Sequence, residues 1–296
     1  GVKAYSGKGW GMRGKMEKRV LWDNGIKDCM KEFTSEHMLE FMELLDYIKD
    51  DGIESIINRN TQEDPDLWDW LYTKDQTEMN DIKKELGKKI QRAKYVDSEE
   101  FDKMMEIVGK LNIIKTLILL YDNQNDFCVS TKSEYYAGLR RYLIMEKKDS
   151  FCKDLSECFP HIHFSHDIER TINTLNKKFE EIREEIVEHL TQIDGYQSRF
   201  EQLLSENKSF QEIAQHFSMD TGIECSPQAG RKKVQALKEK YFNSKNGQEE
   251  TVTCELHTKF KRFNIDIDKQ DRIYFFPGKR EILEGKVIVK HIGGHL

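Results

Sequence analysis

The chain has 296 residues, 38% hydrophobic and 34% charged, with a net charge of −6. That length allows one large or two modest domains with a sizeable core. No apolar run approaches the roughly 18 residues a membrane-spanning helix needs, and six scattered cysteines are too sparse for a disulfide framework, which points to a reducing, cytoplasmic setting.

Residues 1–15 lack hydrophobic periodicity and predict a flexible arm. Gly9–Gly14 match G-x-G-x-x-G, but no strand precedes them, as a dinucleotide site requires, so no cofactor is expected. Over 34–52, Thr34 or Ser35 can cap a helix whose apolar stripe is Met38, Phe41, Met42, Leu45 and Ile48, with Gly52 ending it. Pro65 suits the first turn of a second helix. Apolar spacing predicts a third helix from Ser98 to Tyr121 and a fourth over 133–148. From Ser165, the residues Ile168, Ile172, Leu175, Phe179, Ile182, Ile186 and Leu190 form a heptad-like seam, with 196–207 as its antiparallel continuation. Ser209 opens another helix, and "RKKVQALKEKYF" (231–242) reads as a basic one. Beyond Gly247, "ETVTCELHTKF", "DRIYFFPG" and "KVIVKHI" read as strands by their β-branched and aromatic content. The expected fold is mainly α with a small C-terminal α+β module. A helical bundle and long helical hairpin would occupy 16–207, and a basic domain over 208–296 would end in a three-stranded antiparallel sheet.

Residues 226–296 hold 15 Lys/Arg against 9 Asp/Glu, a net +6, leaving −12 for the rest. A basic tail on an acidic body points to a nucleic-acid partner, RNA or DNA. In "CELHTKF", Glu255, His257 and Lys259 alternate onto one strand face, a partner acid, a proton-transfer group and a phosphate-holding cation in a catalytic reading. Lys261, Arg272, Tyr274, Lys290 and His291, with Arg231, Lys232 and Lys233 from the basic helix, are the candidate nucleic-acid contacts. Three further features lie outside this set. Cys152, Cys158, His161 and His163 are zinc-ligand types at a spacing that matches no standard finger, so no metal is assigned. Arg183 and His189 fit a loose ribonuclease-like Arg/His pattern. "SFQEIAQHF", with the basic helix after it, resembles a helix-turn-helix with an overlong link.

"SPQAGRKKVQ", "CELHTKF", "DRIYFFPGK" and "GKVIVKHIGGHL" resemble the C-terminal module of uncharacterised bacterial proteins found among phage-defence genes. The closing hairpin is also similar to that of RelE/ParE-type toxins. The resemblance covers about a quarter of the chain and implies a bacterial defence or toxin-like setting. The expected function is therefore an antiviral-defence component whose C-terminal domain binds, and in a catalytic version cleaves, nucleic acid. The alternative is an adaptor whose helices dock onto a partner effector protein or a second copy of the chain.

Overall fold

The computed structural model describes residues 15–74, 77–228, 234–261 and 269–296, with the side chain of Thr77 excepted. The chain divides into two compact units, one holding 15–146 and the other 147–296. The expected boundary at 207/208 falls inside the second unit. The arm expected at the N-terminus lies outside the described residues up to position 14.

The first unit contains β1 (Glu17–Trp22), α1 (Ile26–Lys31), α2 (Ser35–Asp50), β2 (Glu54–Asn58), α3 (Arg59–Gln62), α4 (Pro65–Tyr72), α5 (Thr77–Arg92), β3 (Lys94–Val96), α6 (Ser98–Glu106), β4 (Ile114–Leu119), β5 (Cys128–Val129) and α7 (Lys132–Met145). All neighbouring strands pair in parallel, in the order β3-β2-β1-β4-β5. This corrects the mainly helical expectation: the protein is α/β. The physical reason is legible in β4. A strand covered on both faces is buried at successive positions, so "IKTLIL" carries no period-2 signal and merges with the helix before it. The predicted helix from Ser98 to Tyr121 is in fact α6 followed by β4.

In this unit local signals placed the starts of α2, α4 and α6, whereas α1 and α5 were not expected. The Thr34 side chain accepts from the His37 amide at the start of α2, and Asp64 caps α4 with Pro65 in its first turn. Thr131 and Glu134 close a reciprocal capping box on α7. Helix α7 lies close over β4, because Gly138 has no side chain there. A Cβ at that position would stand 2.7 Å from Leu117 Cδ2. Gly138→Ala should therefore overpack the layer and destabilise the protein by about 1–3 kcal/mol. A denaturant midpoint equal to wild type would refute this.

The second unit contains α8 (Lys148–Cys158), β6 (Ile162–Phe164), α9 (Ile168–Thr171), α10 (Phe179–Gly195), α11 (Gln197–Ser205), α12 (Phe210–Thr221), β7 (Cys225–Pro227), β8 (Lys238–Asn243), β9 (Gln248–Thr253), β10 (Leu256–Lys259), β11 (Arg272–Phe276) and β12 (Val287–Gly293). Its main sheet has the order β6-β12-β11-β10-β7, with β6 parallel to β12 and the other pairs antiparallel. The predicted antiparallel trio is corrected: its first strand divides into β9 and β10, which lie in different sheets, and β10, β11 and β12 form the middle of a five-stranded sheet. Hairpin β8–β9 forms a separate two-stranded sheet. The long seam helix is corrected: its apolar positions belong to α9, a 3-10 turn and α10, and Lys178 breaks the run with ψ 139. The basic helix is also corrected where it is described. Val234–Leu237 is a 3-10 turn, and Lys238–Asn243 is strand β8. A helix-turn-helix therefore loses its second helix from residue 234 onward.

One face of the main sheet is the core face. Phe275 meets Phe200 and Phe217 from α11 and α12, and Thr258 meets His189 of α10. No helix among the described residues is long and apolar enough to cross a membrane.

Candidate functional site

The opposite face of that sheet gathers polar side chains. Register places Ser226 beside His257 and His257 beside Tyr274, with Tyr274 beside His291. Arg272 stands opposite Lys259 on the same strand pair. A bulge between Tyr274 and Phe275 shifts β12 by one residue there.

The group is buried rather than laid out on a surface. His257 is 3% exposed and Arg272 is 5% exposed, while Tyr274 is fully enclosed. Arg272 Nη1 donates to His257 Nε2 at 3.2 Å and to Tyr274 Oη at 3.4 Å. Ser226 Oγ lies 3.2 Å from the same Nε2. Because a guanidinium can only donate, Nε2 is the acceptor, and the ring proton sits on Nδ1, 3.4 Å from the Glu255 carbonyl. Tyr274 Oη donates to Gln228 Oε1, and the Gln228 amide donates to the Glu255 carbonyl. Burial, then the Arg272 charge, pushes His257 down to about 3, so the imidazole is neutral at physiological pH.

Arg272 is the unusual member. It forms no ion pair with a carboxylate among the described residues, and its Nε is enclosed with no acceptor. A buried guanidinium without a counter-charge is costly. Its planar fork of donors matches a phosphate or carboxylate.

The other predicted contacts fare differently. Lys259 is paired with Glu224 at 2.5 Å, and Lys290 with Asp167 at 2.6 Å and Glu239 at 3.4 Å. Both cations are already neutralised within the unit. Lys261 is exposed, and its backbone amide donates to Glu185. His291 is buried, donates from Nε2 to the Gly294 carbonyl, and is pushed by burial down to about 4. Glu255 meets His257 through its main-chain carbonyl. Arg231, Lys232 and Lys233 lie outside the described residues. The structure thus brings His257, Arg272 and Tyr274 together and sets Lys259 and Lys290 into ion pairs.

Sequence reasoning missed Ser226 and Gln228. "IECSPQAG" reads as a linker, because a three-residue edge strand has no period of its own. Only its pairing with β10 aims Ser226 at His257.

The remaining clusters resolve as structure. Cys152 and Cys158 are buried on α8, the His163 ring meets the edge of Tyr241, and the His161 amide donates to Asp194. No group of three or more His, Cys, Asp or Glu among the described residues is arranged to hold a metal. His189 is buried against Thr258 and Phe260 on the core face.

In the first unit, the order of strands reverses between β1 and β4, the place where doubly wound sheets bind ligands. Its polar groups are used in local structure. Asp23 accepts from the Gly25 amide, Asn24 from Thr61, and Asn58 from the Asn60 amide and Ser98. Cys29 packs against the Tyr121 backbone. The second unit, with an arginine left unsatisfied, is the stronger candidate.

Comparisons with protein-family models, curated proteins and solved structures return no match.

Proposed function

We propose that the second unit recognises a phosphate group of nucleic acid at Arg272, within a bacterial antiviral-defence component. The observation that carries this reading is the enclosed guanidinium, which among the described residues has no carboxylate partner and an unused Nε donor. A phosphate would supply the missing charge and accept from that donor. The net +6 over 226–296 supports nucleic acid over an isolated small anion, and the resemblance of the tail to defence-associated modules supports the setting.

The reading differs from an electrostatic surface in a measurable way. Anisotropy of labelled single-stranded RNA and DNA oligonucleotides, titrated with the full chain across a salt series, is the assay. Arg272→Met should weaken binding by about 10-fold or more, the scale of a hydrogen bond to a charged group. It should also reduce the salt slope by about one phosphate contact. Lys259→Ala should change affinity by less than about 2-fold, because an exposed ion pair already occupies that ammonium. Equal affinity of wild type and Arg272→Met would overturn the proposal.

A further inference from the structure

We propose that Ser226 is a nucleophile toward phosphorus, with His257 as its base and Arg272 holding the phosphoryl group. This rests on the reading of Arg272 as a phosphate receptor and adds a chemical step to it.

The placement of Ser226 is specific. Strand β7 lies at the sheet edge, where Pro227 is tolerated because an edge position needs no further donor. It is held from both sides. Register with β10 sets Ser226 opposite His257, and the Cys225 amide donates to Ser218 of α12 at 2.9 Å. Ser226 is partly exposed while the imidazole behind it is buried. A hydroxyl on a partly exposed residue, backed by an enclosed base, is the arrangement of a nucleophile–base pair. The base is oriented in turn, since Nδ1–H points at the Glu255 carbonyl and leaves Nε2 facing the hydroxyl.

Two donors compete for the single lone pair of Nε2, Ser226 Oγ–H and Arg272 Nη1. In the free protein, burial, and after it the guanidinium, holds the imidazole in a weakly basic state. A bound phosphate would draw Arg272 onto itself, free Nε2 for Ser226, and place negative charge beside the ring. Each effect raises the basicity of His257 toward a useful range.

In the first step, Ser226 Oγ bonds to phosphorus as the Oγ–H proton passes to Nε2. The bond from phosphorus to the leaving oxygen breaks, and that oxygen takes the proton from Nε2. Water then attacks the seryl phosphoester, gives a proton to Nε2, and the proton returns to Oγ as the Oγ–P bond breaks. The net change is hydrolysis of one phosphodiester to a phosphomonoester and an alcohol.

The test incubates the full chain with a fluorophosphonate carrying a reporter group. Attack by Ser226 releases fluoride and leaves the reporter on Oγ. Peptide mapping should place the label on Ser226 in wild type and not in Ser226→Ala. His257→Gln, which keeps a polar side chain at that buried position, should label at least about 100-fold more slowly, the scale of a lost general base. No label on Ser226, or labelling of His257→Gln at the wild-type rate, would overturn the nucleophile. The oligonucleotide titration separates the two levels. Wild type that binds nucleic acid without labelling sinks the nucleophile alone, whereas failure of Arg272-dependent binding sinks the phosphate reading beneath it.

Discussion

Glu146→Ala should destabilise the first unit by about 3–5 kcal/mol, the cost of stranding a buried charge. Glu146 Oε1 lies 2.5 Å from Lys115 Nζ, and their side chains are 1% and 6% exposed. Lys115 sits in β4 and Glu146 ends α7, so the pair ties the helix terminus to the sheet. The Lys115 ammonium also donates to the Asn112 carbonyl and lies 5.9 Å from the Tyr142 ring centroid, yet neither neighbour neutralises its charge. A loss of this size is comparable to the lower end of whole-domain stability, about 5 kcal/mol. The double substitution Lys115→Met with Glu146→Leu should recover most of the loss, since an apolar pair of similar size replaces two desolvated charges. Urea unfolding of the wild type, both single variants and the double variant measures the coupling. Additive losses, with no recovery in the double variant, would show that the pair is not what the two residues contribute.

Mild acid should unfold the second unit well before its paired carboxylates titrate. Burial pushes His189 and His291 down to about 4 and, with Arg272 adding to it, His257 to about 3. In each case the folded pKa lies below the ordinary value of 6.5, so between the two values the unfolded chain binds more protons than the folded one. The stability contributed by the neutral rings is complete above about pH 6.5 and is lost as pH falls from there toward 4. Each ring costs about 1.4 kcal/mol per pH unit in that window, and all three together about 4 kcal/mol per unit. The accumulated loss near pH 5 is about 6 kcal/mol, within the range of total domain stability. Carboxylates act lower. Burial pushes Asp167 up, but the Lys290 ammonium outweighs it and leaves the carboxyl below its usual range, so its contribution is lost only below about 3.8. A tryptophan-independent probe such as far-ultraviolet circular dichroism should show a transition near pH 5 with the steepness of about three protons. His189→Gln should reduce that steepness by about one. A unit that stays folded at pH 4 would contradict the buried, neutral assignment of these rings.

Some helix starts, those of α2, α4 and α12, were readable from the chain because a cap is a local event, while α1, α5 and α8 were not expected. Thr34, Asp64, Thr131 and Ser209 each bond an amide two or three residues ahead, and that requirement is written in adjacent positions. The strands β11 and β12 were readable for a similar reason, since aromatic and β-branched residues cluster there with turn residues between them, whereas β10 ran together with β9 in one predicted strand. The alternation of His257 and Lys259 on one strand, and of Arg272 and Tyr274 on the next, was likewise visible.

The parallel sheet of the first unit was not readable, because a strand covered on both faces carries no alternation. Its pairing joins β1 to β4 across nearly one hundred residues, a contact no local pattern encodes. The meaning of the polar face also depended on the fold. Lys259 and Lys290 look like phosphate contacts in the chain, but Glu224, Asp167 and Glu239 reach them only once the sheet and its neighbours assemble. Arg272 has the same composition-level signature and the opposite outcome, enclosed beside His257 with no carboxylate ion pair among the described residues. The chain specified residue types and their spacing along each element. Which cation is neutralised, which imidazole is desolvated and which hydroxyl faces it were decided by packing, because charge pairing and burial depend on distances between residues far apart in sequence.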